Sequence, residues 1–126
     1  MAEPLRNQSF LIERHGDIAV IVPMPEMEAM DDSFIEPAAR LVTDFLRETE
    51  PSALIFDLSK VDFFGSQFLS FLLRCHKRIK DRDPSAVVVV AGPSKKAREL
   101  LHMVALDTLW PLYDSRIEAI NALASD

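Results

Sequence analysis

The chain has little cysteine, little glycine and no long apolar run, and each shortage excludes a class of protein. A single cysteine, Cys75, rules out an internal disulfide and favours a reducing compartment. The three glycines form neither a G-x-G-x-x-G loop nor a P-loop. No segment approaches the ~20 apolar residues of a membrane span, and residues 1–9 have no apolar signal core. We therefore expect a cytoplasmic protein without a membrane span.

Charge and composition narrow the choice further. Fourteen basic and twenty acidic residues give a net charge of −6, which argues against nucleic acid as a partner. The basic clusters, 74–82 and 95–98, are interpreted as solvated helix faces. With 126 residues, 48% of them apolar, the chain is expected to form one domain, residues 1–126, with an ordered core from about 9 to 124.

Apolar periodicity predicts alternating strands and helices. Strands are expected over 9–14, 17–23, 52–58, 86–91 and 109–113, and helices over 33–49, 67–81, 95–104 and from about 115 to 124. The first two strands are joined at His15-Gly16, which is typical of a hairpin. The order predicts an α/β fold: a mostly parallel mixed sheet with one antiparallel edge hairpin and about four helices.

The sequence offers little support for an enzyme. Ser66 follows Phe64-Gly65 without the second glycine of a G-x-S-x-G elbow. The three histidines have no spacing that links them to each other or to acids as metal ligands. We expect no catalytic residue, no metal and no cofactor, and we interpret Cys75 as a small core residue.

A phosphate-accepting aspartate is an alternative, because Asp57 ends a central strand. Such a site needs acids that hold Mg²⁺ and a lysine after the last strand. The available acids are Glu26, Glu28, Asp31 and Asp32. Residues 110–114 contain no lysine. The other interpretation is that Asp57 caps the turn that follows its strand.

Ser66 stands where the connection after a buried strand turns into a helix. Its hydroxyl fits an N-cap. A phosphate on it would add about −1.5 to −2 charges at the positive end of the helix dipole. The two roles are compatible, so the cap alone does not decide the function.

The segment from Phe56 to Leu69, which reads FDLSKVDFFGSQFL, resembles the signature of the STAS family of anti-sigma factor antagonists. That signature is a strand ending in Asp-Leu-Ser, a hydrophobic pair, and Asp-Ser-Ser/Thr-Gly-Leu at the start of a helix. The run from Arg98 to Ile120 is similar to the C-terminal pattern of the family. The resemblance covers Phe10 to Leu123 and implies the same α/β order.

The resemblance implies a protein-binding switch. A family member of this kind binds an anti-sigma factor that is also a serine kinase, and thereby frees a sigma factor. Phosphorylation of the motif serine, which aligns with Ser66, ends the binding, and a phosphatase restores it. The implied partner-binding rim comprises Asp62, Phe64, Gly65, Ser66, Gln67 and Phe68, although Phe68 could instead fold into the core.

The chain departs from the signature next to this serine. Gly65 replaces the motif aspartate, Gln67 the second hydroxyl and Phe68 the motif glycine, while Ala105 replaces a later glycine. Gly65, Gln67 and Phe68 support an alternative, a scaffold without phosphorylation or a transporter-associated regulatory subunit.

Overall fold

A computed structural model describes residues 5–6, 10–29, 32–62 and 65–124. Within this part of the chain, six strands form one sheet in sequential order. The strands are β1 (Leu5–Arg6), β2 (Phe10–His15), β3 (Ile18–Pro23), β4 (Ala53–Asp57), β5 (Val87–Ala91) and β6 (Leu112–Tyr113). The α-helices are α1 (Asp32–Thr49), α2 (Ser66–Arg82), α3 (Lys95–Met103) and α4 (Arg116–Ala124), with 3₁₀ helices at Pro25–Ala29 and Leu106–Thr108.

The direction of the strands confirms the predicted mixed α/β sheet. Strands β1, β2 and β3 pair antiparallel, whereas β3 to β6 pair in parallel. The hairpin between β2 and β3 pairs His15 with Ile18, and Gly16 in its turn has a φ of +61°. The sequence pattern missed the two-residue strand β1 and began β6 three residues too early.

The sheet is covered on both faces, which explains the unbroken apolar run of β4. Alternate residues of β3, β4 and β5 contact α1, α2 and α3 on one face, as Ile21, Phe56 and Val90 do. Their neighbours, such as Val20 and Ile55, pack against α4 on the other face. All five residues of β4 are therefore buried, as expected for a central parallel strand.

Aromatic residues and one thiol fill the core beneath α2. Trp110 is fully buried, packs edge-on against Phe56, and donates its Nε1 hydrogen to Nδ1 of His76 at 3.0 Å. Burial, followed by the charge of Lys80, lowers the pKa of His76 from its ordinary value. Cys75 is fully buried, and burial raises its pKa far above the usual range, which confirms its prediction as a core residue. No described helix is long and apolar enough to cross a membrane.

Two side-chain contacts cap the start of α4. Ser115 Oγ accepts the N–H of Glu118 at 3.1 Å, which is one of the two bonds of a capping box. The Glu118 carboxylate accepts the N–H of Asp114, at 3.2 Å, rather than that of Ser115. Both bonds satisfy backbone donors at the start of a short helix.

The chain leaves α3 through a left-handed residue, Ala105, whose φ is +61°. A side chain in this conformation costs about 1–2 kcal/mol, which is why glycine is common just after a helix.

We therefore expect Ala105→Gly to stabilise the protein by up to about 1 kcal/mol, because the relief of strain exceeds the added entropy of the unfolded chain. Urea unfolding measures the change. Ala97→Gly, a buried position inside α3, is the matched control and should instead destabilise the protein by about 1 kcal/mol or more. A loss of stability in the Ala105 variant would contradict the strain.

Candidate partner-binding site at the start of helix α2

Three helices begin at one edge of the sheet. Strands β3, β4 and β5 are parallel and end at this edge, and α1, α2 and α3 follow them in the chain. In open parallel sheets this is the edge where ligands and partners bind. Ser66, as the first residue of α2, lies at this edge and is exposed.

Backbone contacts hold both ends of the connection between β4 and α2. Leu58 donates its N–H to the Ala91 carbonyl at 2.9 Å, which extends the ladder between β4 and β5 beyond the strands. The backbone N–H of Asp62 donates to Oε2 of Glu28 at 3.0 Å. The buried side chains of Leu58 and Val61 anchor the same connection in the core. Leu58 and Asp62 thus attach this connection to β5 and to the 3₁₀ helix after β3.

Ser66 does not cap its helix, so that prediction is wrong. The N-cap is Gly65, in extended backbone with a φ of −85° and a ψ of −175°, and no side chain caps this helix. Ser66 is already helical, and its Oγ donates to Oε1 of Gln67 at 3.3 Å. The helix begins one residue earlier than a hydroxyl cap requires. The Ser66 hydroxyl therefore remains on the surface instead of closing the first turn.

The structure changes the membership of the predicted rim. Asp62 is exposed, and Gly65 and Gln67 are half-buried beside Ser66. Phe68 is only 1% exposed and packs in the core beneath α2, so the core alternative is confirmed and its membership of the rim is wrong. The large side chain replaces the motif glycine on a position that faces inward. Phe64 lies outside the described residues.

Sequence reasoning missed two residues at this edge. Phe34, in the first turn of α1, is 53% exposed although it shares helical spacing with the buried Ala38 and Phe45. Glu28 was considered only as a metal ligand, whereas it binds the backbone before α2. The only sequence feature that indicated this contact was an acidic side chain in the loop after β3.

Asp57 has a structural role at the same edge. Its Oδ1 accepts the N–H of Ser59 at 3.1 Å, as expected if Asp57 caps the turn that follows its strand. Its Oδ2 accepts Nε of Arg116 at 2.9 Å, and Arg116 also donates to Glu13 at 3.0 Å. Gly92, with a φ of +65°, lets the chain pass here, since a Cβ would come within 3.2 Å of Cβ of Ser59.

These contacts determine the chemistry available to Asp57. Burial by itself would lower the pKa of Arg116, but the hydrogen bonds and charges of Asp57 and Glu13 raise it above its usual value. Both Asp57 oxygens are therefore engaged with permanent donors inside the fold. Among the described residues, no group of three acidic, histidine or cysteine side chains is arranged to hold a metal ion. The geometry favours Asp57 as an anchor over Asp57 as a phosphate acceptor.

The sequence and fold identify the family of the chain. The sequence profile of the STAS domain matches residues 11–119, and the chain belongs to the STAS family. A comparison with curated proteins found no match.

Solved structures support the same conclusion. An anti-sigma factor antagonist (STAS) domain protein from Planctomyces limnophilus is 28% identical with a TM-score of 0.76, over 91% of this chain and 97% of that one. An anti-sigma factor antagonist from Mycobacterium paratuberculosis is 24% identical with a TM-score of 0.72, over 90% and 91%. SpoIIAA, a Bacillus cell fate determinant solved in its phosphorylated form, is 16% identical with a TM-score of 0.67, over 90% and 98%. The last two share the fold.

The two helix starts predict different costs for removing a serine hydroxyl. Ser94 caps α3 by accepting the N–H of Ala97 at 3.1 Å, whereas Ser66 accepts no such bond. We expect Ser94→Ala to lower the free energy of unfolding by about 1 kcal/mol and Ser66→Ala to change it by less than about 0.5 kcal/mol. Denaturant unfolding of both variants measures the difference, and equal losses would show that Ser66 does cap.

The partly buried ion pairs of Arg116 predict a larger effect. Arg116→Ala would leave the Asp57 carboxylate, only 7% exposed, without its charged partner. We expect a loss of about 1–3 kcal/mol, less than for a fully buried pair because a third of Arg116 is exposed. Arg98→Ala removes the exposed pair with Asp114 and should cost at most about 1 kcal/mol. Equal losses in urea unfolding would argue against an anchoring role.

Proposed function

We propose that the chain is a cytoplasmic anti-sigma factor antagonist whose Ser66 is phosphorylated by the partner that it binds. The partner is an anti-sigma factor with serine kinase activity, binding releases a sigma factor, and a phosphatase reverses the modification. The chain itself is not an enzyme in this scheme and needs no cofactor.

The observation that carries the proposal is the position of the Ser66 hydroxyl. It is exposed, lies in the first turn of a 17-residue helix and is not used as a cap. A kinase can therefore approach it without first unfolding the helix. The first turn contains no acidic side chain, so a phosphate there would meet the positive end of the helix dipole without an adjacent carboxylate in that turn.

The same geometry explains how a phosphate would end the binding. The helix tolerates the added charge, but a partner that buries Ser66 would have to desolvate a dianion. Exposed Asp62 already contributes negative charge to the rim. Phosphorylation would act on the interface and leave the fold of the chain intact.

Affinity purification of the tagged chain from its native cell tests the switch. Wild type and Ser66→Ala should recover an anti-sigma factor of the kinase type, whereas Ser66→Asp should recover at least about tenfold less, a loss of about 1.4 kcal/mol. Ser94→Asp places the same charge at the start of α3 and is the matched control, which should retain the partner. Unchanged recovery with Ser66→Asp would remove Ser66 from the mechanism.

Mass spectrometry of the native protein distinguishes the switch from the alternative function. The alternative is a STAS scaffold without phosphorylation, or a transporter-associated regulatory subunit. It is favoured by Gln67, whose side-chain oxygen accepts the hydrogen of the Ser66 hydroxyl. It is also favoured by Gly65, which leaves α2 without a side-chain cap. Phosphate on Ser66 in some growth conditions supports the switch, and its absence in all of them supports the scaffold.

A further inference from the structure

A groove on the outer surface of the helix layer separates α1 from α2. Three adjoining cavities of about 350, 390 and 320 Å³ lie along it, and Arg78 lines all three. Leu46, which is almost fully buried, and the half-buried Thr43 contribute to its lining from α1. The groove is on the side of α2 that leads away from Ser66, since Arg74 follows Ser66 by eight residues, or about 12 Å of helix.

Arginines line both sides of this groove. Arg74, Arg78 and Arg82 recur at every fourth residue on one face of α2, and Arg40 and Arg47 are one heptad apart on α1. With Lys77, six cationic side chains line the three cavities, against three acidic ones, Glu36, Asp44 and Asp81. This local excess of positive charge occurs in a chain whose net charge is −6.

The three acids of the groove each pair with its cations but are outnumbered by them. Glu36 bonds to Arg74, and its second oxygen is 3.8 Å from Arg78. Asp44 lies 3.7 Å from Arg47, and Asp81 pairs with Lys77 at 2.9 Å. The Arg82 guanidinium donates to the Pro51 carbonyl. No hydrogen bond or ion pair of Arg40 occurs among the described residues. Within the described part of the chain, Arg40 therefore has no bound acceptor and Arg78 has only the longer ion pair with Glu36.

Helix stability does not account for the arrangement. Like charges four residues apart destabilise a helix. The helix dipole favours the cations of the last turn, Lys80 and Arg82, but gives nothing to Arg74 and Arg78 in the middle of α2. The sequence pattern was interpreted as a solvated helix face, whereas the fold concentrates its charge along a groove.

We propose that the groove between α1 and α2 binds an acidic, helical segment of a partner protein, at a surface separate from the Ser66 rim. Arginine forks bind carboxylates in a bidentate geometry, and Leu46 offers an apolar contact between them. A helix with glutamates at every fourth residue matches the arginine spacing of α2.

The pattern of charges favours a protein segment over a polyphosphate. Carboxylates of Glu36, Asp44 and Asp81 interrupt the arginines, so a continuous line of phosphates would meet repulsion at intervals. The net charge of −6 opposes every polyanion at longer range, and it opposes nucleic acids and anionic membranes more strongly than a peptide because their charge density is higher. A peptide with separate carboxylates can pair with the arginines and avoid the acids.

Fluorescence anisotropy tests the groove with a defined probe. The probe is a fluorescein-labelled helical peptide of about 14 residues, with glutamates on one face and leucines beside them. Arg40→Gln/Arg78→Gln should weaken its binding about tenfold or more, and Arg40→Gln alone should weaken it measurably. Lys95→Gln/Lys96→Gln on α3 removes the same charge and is the matched control, with a change below about twofold.

Several outcomes would overturn the proposal. They are the absence of saturable binding, an equal loss in the α3 control, or tighter binding to duplex DNA or to vesicles with anionic lipid than to the peptide. Circular dichroism and urea midpoints verify that the variants remain folded. Ser66→Asp should leave the peptide affinity unchanged within about twofold, so failure of the Ser66 switch and failure of the groove are distinguishable.

Discussion

The carboxylate of Asp57 holds together the end of strand β4, the loop that leads to α2 and the start of helix α4. It ends β4, accepts the N–H of Ser59 in the loop toward α2, and receives Arg116 from the first turn of α4. Arg116 in turn reaches Glu13 on β2. Helix α4 is short and is the one described helix on its face of the sheet, so this ion-paired cluster helps to fix where it docks. The loop that leads to Ser66 therefore takes its starting position from a contact on the opposite face of the sheet.

Local patterns predicted the fold well, and tertiary contacts account for the errors. The apolar runs of β4 and β5 predicted a buried sheet, and the apolar face of α2 predicted a helix packed on it, because burial imposes a period on the sequence. The sequence does not distinguish a serine at the N-cap from a serine in the next position, so α2 was predicted to begin at residue 67 instead of at Ser66. The pairing of Asp57 with Arg116, 59 residues apart, leaves no local trace. Phe34 satisfied the helical spacing but lies where the core ends.

Helix α2 contributes residues to both proposed surfaces, the Ser66 rim and the groove between α1 and α2. Its first turn carries Ser66, and its middle and last turns carry the arginines of the groove. Its inner face is held by Phe68, Phe71, Leu72, Cys75 and Ile79, all buried. Such packing makes the helix a rigid element, so the distance between the two surfaces is fixed by the rise per residue. A partner that contacts both surfaces would recognise the distance between them as well as the chemistry of each.

Trp110 gives this rigid element a natural optical label. It is the single tryptophan of the chain, is fully buried, and contacts the imidazole of His76 on α2 and the ring of Phe56 on β4. Indole emission shifts to longer wavelength when water reaches the ring, and a charged imidazolium beside it quenches the emission. Intrinsic fluorescence therefore follows the seating of α2 on the sheet without any added dye. The protein can report on the helix that carries both surfaces while it binds.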